Sequence, residues 1–478
     1  MFFSRTNTGV WLSLTFASMV AACALLLATT PLSQAYAGVR DHHQICILLA
    51  GVLGLLHWLL VLCRNHTIRS GWKLEWLGVC LPAYALFQVL PLPLRLVRII
   101  SPARARLADA MGPIFPKPSW APLSVTPSAT VYYCLLMAAC AIVFLVIYDI
   151  ASRLTMHPWA VAVPLVILAA SEAAFGLVQT QSRVPGGIAT GTFAIRDHYA
   201  GFLEMVLPFA AIAPLAILNR EFRRSRSEVG SSGPVLLACI GFGAAALILM
   251  GILGSLSRMG FLSTVGSTTF SGLVALCRGR SWRQIRPVLA AGIVIAALAI
   301  FFLPSGQLIT RFSQTSKEDR PEVWRETRRL IAAYPWFGCG LGGYESAFYP
   351  FKASNPAYYQ EYAHNDYLQY LAEMGVVGFV MAAAPLAVIL AKLRRGWSQR
   401  HQADGGWLSI ACAGSAVAIG LHSIADFNLY IAANMLVFAW VLGIAASCGA
   451  VHQHPHSAGH PDSIPVASGI PGRSTLRR

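Results

Sequence analysis

Residues 234–277 read PVLLACIGFGAAALILMGILGSLSRMGFLSTVGSTTFSGLVALC. Two apolar runs lie back to back here, and Arg258 is the single charge in the stretch. A bilayer span needs about 20 apolar residues. Hydrocarbon offers the backbone no hydrogen-bond partners, so a span is a helix or part of a closed barrel. Runs this long without alternating polarity read as helices. Extending the same reading outward predicts twelve spans, roughly 11–29, 44–63, 75–91, 129–150, 157–178, 198–218, 234–255, 260–277, 287–304, 367–391, 407–424 and 427–448. The chain has 478 residues, 56% hydrophobic and 12% charged. Soluble domains carry roughly 25% charge, so a soluble enzyme, a disordered tail protein and a coiled coil are excluded. The expected fold is an all-α polytopic membrane protein with about 12 transmembrane helices.

The net charge of +16 comes from 36 Lys and Arg against 20 Asp and Glu. A nucleic-acid binder needs a soluble basic face, and this chain is mostly apolar runs. Membrane lipids with anionic headgroups, or a phosphate-bearing substrate, suit the charge better, and no nucleic acid is expected. Most of the eleven cysteines sit inside apolar runs, where they act as small hydrophobes. No C-x-x-C pair points to a disulfide framework or zinc site. The first apolar run is longer than a signal-peptide core, so it reads as a first span. Short-loop cations set orientation. Arg64/Arg69/Lys73, Arg220/Arg223/Arg224/Arg226, Arg278/Arg280/Arg283/Arg286 and Lys392/Arg394/Arg395/Arg400 share one side if both termini are cytoplasmic.

That orientation divides the chain into helices 1–9 over 1–304, one large outer loop over 305–366 between spans 9 and 10, helices 10–12 over 367–448 and a tail over 449–478. Within the first part, 92–128 forms an outer amphipathic segment with Arg95, Arg98, Arg104 and Arg106, suited to the membrane surface. The outer loop is rich in aromatics, which predicts order. The tail is rich in His, Pro, Gly and Ser and reads as disordered and cytoplasmic.

Several polar residues fall at the expected outer ends of spans. Arg258 opens a helix at the outer turn of the quoted hairpin. It is either a side chain snorkelling to the interface or half of an anion site. Glu172, Glu204 and Glu373 lie within about two helical turns of an outer end. Asp197, His198, His422 and Asp426 lie at outer ends too. Transporter sites gather near the midplane. A shared outer depth instead suits work on a lipid headgroup.

In the outer loop, Pro321 and Glu322 open an expected helix over 321–334. Arg320 and Trp324, four apart, share a face, and the Arg fork suits phosphate oxygens. Gly338-Cys339-Gly340-Leu341-Gly342-Gly343 matches a dinucleotide pattern formally, but no strand precedes it; a tight turn after Pro335 is expected. His364-Asn365-Asp366 opens the tenth span, with Asn365 or Asp366 as its cap. A helix N-terminus disfavours an imidazolium, so His364 can act as a base or acceptor. Gly375 and Gly378, about 15 Å deeper, are expected to allow close helix contact.

Together these pieces resemble the O-antigen ligase and polymerase superfamily of bacterial membrane glycosyltransferases. The resemblance runs through Gly191-Thr192-Phe193 with Asp197-His198, Ser257-Arg258, and Arg320, Trp324, Pro335, Gly338, Gly340 and Gly342. It ends with His364-Asn365, nine residues, Gly375, two residues, Gly378. Where the family often has Asn, this chain has Asp197. The resemblance implies a GT-C-like helical fold and inverting, metal-independent transfer with no cofactor. The donor it implies is a glycan on undecaprenyl pyrophosphate, and the acceptor is lipid A-core in ligases or another lipid-linked glycan in polymerases. Carried over, Arg258 and Arg320 hold the pyrophosphate. His364 is the catalytic group, and Asn365, Trp324, Asp197, Glu373, Gly375 and Gly378 support the site. The implied location is the bacterial inner membrane, with the active site facing the periplasm. A transporter and a non-catalytic scaffold are the competing classes; the large outer loop and the depth of the polar residues argue against the first.

Overall fold

The structure, a computed structural model, describes residues 8–26, 35–63, 72–111, 118–181, 187–224, 232–277, 320–354, 359–398 and 403–448. The expected ninth span, positions 305–319 and the tail lie outside the described residues, as do the loop cations Arg64, Arg69, Arg226, Arg278, Arg280, Arg283, Arg286 and Arg400.

The described elements are helices plus one pair of two-residue strands. They are α1 (Thr8–Leu26), α2 (Ala35–Leu62), α3 (Trp72–Val89), α4 (Leu94–Ile100), α5 (Pro102–Ala110), α6 (Pro127–Arg153), α7 (Val163–Thr180), α8 (Arg196–Arg224), α9 (Ser232–Gly254), α10 (Arg258–Cys277), α11 (Arg320–Ala333), α12 (Tyr344–Phe348), α13 (Asp366–Ser398), α14 (Ala403–His422) and α15 (Ala432–Ser447). Among the described residues, nine helices are long and apolar enough to cross a membrane. Helices Gly78–Val89 and Ala432–Ser447 are apolar but shorter. Every expected span within the described residues therefore has a helix. The twelfth is shorter than expected because Asp426–Ile431 forms a turn with one 3-10 element, Asn428–Tyr430.

Helices α8 and α14 are interior: 72% of their spanning windows is buried, against 22% in α9 and α13. Phe202, Phe209 and Tyr199 of α8 are fully enclosed, and α8 packs on α9, α14, α10 and α7. The outer helices turn large aliphatics outward, Leu236 and Ile240 of α9 among them, as a lipid-facing surface requires. At the far end of α6, Asp149 accepts from Arg153 Nε at 2.6 Å and from His57 Nε2 at 3.1 Å. His57 Nδ1 meets Ser13 Oγ at 3.1 Å, so one buried polar knot ties α1, α2 and α6.

The described part of the segment after α3 holds a strand pair and two short helices. Leu92–Pro93 pairs antiparallel with Trp120–Ala121. Helices α4 and α5 bury Leu94, Val97, Ala105 and Ala108 and expose Arg95, Leu96, Arg98 and Ile99.

The feature that positions the segment 335–343 and the start of α13 is a break in α13. Gly375 has φ 63° and ψ −175°, a region essentially reserved for glycine. An unbroken helix would bond the 376 and 377 amides to the 372 and 373 carbonyls. Here Val376 N donates to Pro335 O at 2.8 Å and Val377 N to Trp336 O at 3.1 Å. The freed carbonyls accept Cys339 N at 2.9 Å and Gly340 N at 3.0 Å. Loop 335–340 thus replaces the missing helical bonds. A broken membrane helix is tolerated only where protein satisfies its backbone. Tyr84 and Gln88 of α3 complete the job. Tyr84 Oη donates to Met374 O at 2.9 Å, and Gln88 Nε2 reaches Phe337 O at 2.7 Å and Glu373 O at 2.9 Å.

This corrects the expected role of Gly375 and Gly378 as a pair for helix contact. Gly375 is a backbone break that accepts a loop, and Gly378 alone lies against the Tyr84 ring of α3. A Cβ at Gly375 would stand 2.3 Å from Trp336 O and 2.5 Å from Gly338 N. Gly375→Ala should therefore destabilise the protein by about 3 kcal/mol or more. Gly51→Ala, on a helix position with nothing within 4 Å of the new methyl, should be neutral or slightly stabilising. Thermal melting in detergent checks both; equal melting temperatures for the two variants would contradict the interlock.

Candidate active site around His364 and Asp426

Loop 335–343 is the expected tight turn. Gly338, Gly340 and Gly342 have φ of 73°, 102° and 71°. The Glu373 carboxylate, on the first part of α13, holds the turn. It accepts Gly342 N at 2.9 Å, Tyr344 N at 3.2 Å and Tyr430 Oη at 2.7 Å. Glu373 is 1% exposed and fully occupied by these donors, so it is a scaffold for the turn. The Glu172 carboxylate does the same for the Gly191-Thr192-Phe193 turn, accepting Thr192 N at 2.9 Å and Thr192 Oγ1 at 2.8 Å. That turn leads into α8 and fixes where Asp197 and His198 begin it.

Asn365 caps α13. Its Oδ1 accepts Leu368 N at 2.9 Å, and its Nδ2 donates to Ile424 O at 2.7 Å. Asp366 is turned inward instead, accepting Ser423 Oγ at 2.7 Å and Leu429 N at 3.2 Å. These bonds fasten the start of α13 to the turn after α14. His364, immediately before the cap, has φ 50°. A non-glycine residue held there is strained, a state that structures keep where the surroundings over-determine it.

The His364 side chain is 37% exposed, but its Nδ1 is buried and lies 4.0 Å from Asp426 Oδ1. Its face meets Phe427 edge-on, with centroids 5.0 Å apart. Tyr362 stacks on Phe427 at 4.1 Å and 3°. Burial, with neighbouring carboxylates adding to it, pushes the Tyr362 phenol up to about 12, so it stays protonated at neutral pH.

Asp426 is the centre of the arrangement, and its side chain is 5% exposed. Three imidazoles face it: His198 Nε2 at 3.7 Å, His422 Nε2 at 3.7 Å and His364 Nδ1 at 4.0 Å. Asn428 Nδ2 donates to Oδ2 at 3.3 Å. Burial pushes the Asp426 carboxyl up, but the surrounding imidazoles, His198 foremost, with His364 and His422, outweigh it. They hold the carboxyl well below the usual carboxylate range. The arrangement places an anion beside the buried edge of His364, the relation in which a carboxylate orients a general base.

The remaining site residues from the sequence join this centre through short links. Ser257 Oγ donates to Asp197 Oδ1 at 2.5 Å. Arg258, next in the chain and first in α10, is thereby tied to the start of α8, where His198 faces Asp426. Trp324 Nε1 donates to Ala363 O at 3.0 Å, one residue before His364. It docks α11, which Arg320 opens, on the His364 loop. Both arginines are half-buried at helix N-termini, positions that favour an anion. Asp426 is the principal residue missing from the set read in sequence. The clue was there in its outer-end position four residues after His422, the spacing of one helical turn, yet the turn that aims it is not helical.

Part of the chain has a counterpart in a known family. Residues 243–383 match the protein-family model described as O-antigen ligase. Over those residues the chain is similar to that family. The matched segment holds Arg258, Arg320, the 335–343 turn, His364 and the Gly375 break. No curated protein matches the chain. The match supports a multi-pass membrane glycosyltransferase of the O-antigen ligase or polymerase type, and the family suggests lipid-linked glycan substrates.

The cap gives a test of the local architecture. Asn365→Ala should cost about 1 kcal/mol for the cap and about 1 kcal/mol more for the orphaned Ile424 carbonyl. Asn365→Ser keeps a capping oxygen and should recover only the first part. Melting temperatures of the two variants measure this, and an Ala variant as stable as wild type would contradict the linkage.

Proposed function

We propose that this protein is an O-antigen ligase. It moves a glycan from undecaprenyl pyrophosphate to a sugar hydroxyl of lipid A-core at the periplasmic face of the inner membrane. The observation that carries the reading is His364, a strained residue at a helix start whose side chain is partly exposed while its Nδ1 lies buried 4.0 Å from Asp426 Oδ1. The acceptor hydroxyl gives its proton to His364 Nε2 as its oxygen attacks the anomeric carbon. The bond from that carbon to the pyrophosphate oxygen breaks, and undecaprenyl pyrophosphate leaves with both electrons on the opposite face, inverting the centre. Arg258 and Arg320 hold the departing phosphates. Guanidinium groups contact two phosphate oxygens at once, and stabilising the leaving charge in this way supplies what a divalent cation supplies elsewhere. The spacing of His364-Asn365 to Gly375 and Gly378 favours the ligase over a polymerase that would use a second lipid-linked glycan as acceptor.

The test is an in vitro assay with an undecaprenyl-pyrophosphate oligosaccharide and purified lipid A-core. His364→Ala should enter the membrane and purify as a folded protein, yet transfer about 10²–10⁴-fold more slowly. Arg258→Lys and Arg320→Lys should fall well below wild type, and excess EDTA should leave the wild-type rate intact. A folded His364→Ala with more than about a tenth of the wild-type rate would remove the base from the mechanism. Extension of the lipid-linked glycan with none on lipid A-core would make the protein a polymerase.

A further inference from the structure

Asp426 has a second neighbour chain that acceptor activation does not use. His422, at the end of α14, turns Nε2 to Asp426 and donates Nδ1–H to Glu204 Oε1 of α8 at 2.9 Å. Both side chains are 0% exposed. His422 Nε2 and Glu204 Oε2 make no hydrogen bond among the described residues. Ionisable groups enclosed at membrane depth are costly and persist where they serve function. Two of them in contact, one reaching on toward the carboxylate behind His364, form a continuous line: Glu204, His422, Asp426, His364.

We propose that Glu204 and His422 are a positioning pair that sets how much of the Asp426 charge His364 feels, and so how firmly His364 holds a proton. The inference rests on His364 being the base for its functional meaning. The groups facing Asp426 come from every neighbouring element: His198 from α8, His422 from α14, His364 from the loop before α13 and Asn428 from its own turn. Asp197, at the start of α8, adds negative charge nearby. Glu204 favours the imidazolium of His422, whose positive charge offsets Asp426. Without Glu204 that proton is lost more easily, Asp426 is less compensated, and its uncovered charge draws a proton more strongly onto His364. The sign follows: removing either member of the pair moves protonation of His364 to higher pH. A buried pair interacting through an effective dielectric near 20 gives a move of about half a pH unit.

Diethyl pyrocarbonate acylates only unprotonated imidazole, so its reaction rate with His364 across pH reports the proton directly. The measurement uses the purified full chain in detergent, with peptide mass spectrometry, and needs neither donor nor acceptor. Glu204→Gln should raise the midpoint by about half a unit. An unmoved or lowered midpoint in a variant that melts like wild type overturns the proposal. If Glu204→Gln does not fold, His422→Gln removes the imidazolium itself and should raise the midpoint likewise; an unmoved or lowered midpoint there overturns it equally. The double variant should move no further than either single one. If the midpoint moves while transfer shows no loss at low pH, the pair stands and the reading of His364 as base falls.

Discussion

The architecture depends on one constraint: a membrane helix cannot be broken unless other protein atoms take over its backbone hydrogen bonds. Helix α13 breaks at Gly375, and loop 335–340 takes over, giving two carbonyls and two amides where the helix lost them. The exchange fixes the loop to the helix with four backbone bonds, and Tyr84 and Gln88 bind both partners to α3. The glycine-rich turn follows from it, because the chain must reverse within a few residues beside a helix. Glu373 then locks the turn from inside. With this segment anchored, α11 can place Trp324 against Ala363 and so hold the backbone that carries His364.

A second constraint acts at the other end of the site. Asp426 is buried among three imidazoles and cannot shed its charge into water. Its low proton affinity and the strained backbone of His364 are two parts of one arrangement. The asparagine cap and the inward turn of Asp366 tie α13 to the residues after α14, so His364 and Asp426 are held together although 61 positions separate them in the sequence. Glu204 and His422 carry the same line of charge deeper into the bundle.

The helices were legible because lipid imposes a simple pattern: long apolar runs with cations between them. The start of α10 at Arg258 and the helix opened by Arg320 follow from local residue chemistry, a lone charge at a hairpin turn and a Pro with Glu in the first turn. The capping of α13 by Asn365 is similarly local. Long-range exchange is not. Gly375 looks like a small residue for helix contact because spacing alone says nothing of a loop, 40 residues earlier, inserted into a break. The first part of the expected twelfth span reads as apolar, yet Asp426–Ile431 is a turn because its polar side chains have partners on α8 and before α13. Glu373 reads as an acid at the right depth, but its lone pairs are already spent on the glycine turn. Asp426, with a similar depth and composition, keeps its charge aimed at His364.

The most direct measurement of the central claim is a cryo-electron microscopy structure of the protein bound to an undecaprenyl-pyrophosphate oligosaccharide. The diphosphate should lie against Arg258 and Arg320, with the anomeric carbon on the Nε2 side of His364 and Nδ1 still facing Asp426. A diphosphate bound away from both arginines, or a His364 ring turned from Asp426 in the bound state, would contradict a single site built from these groups.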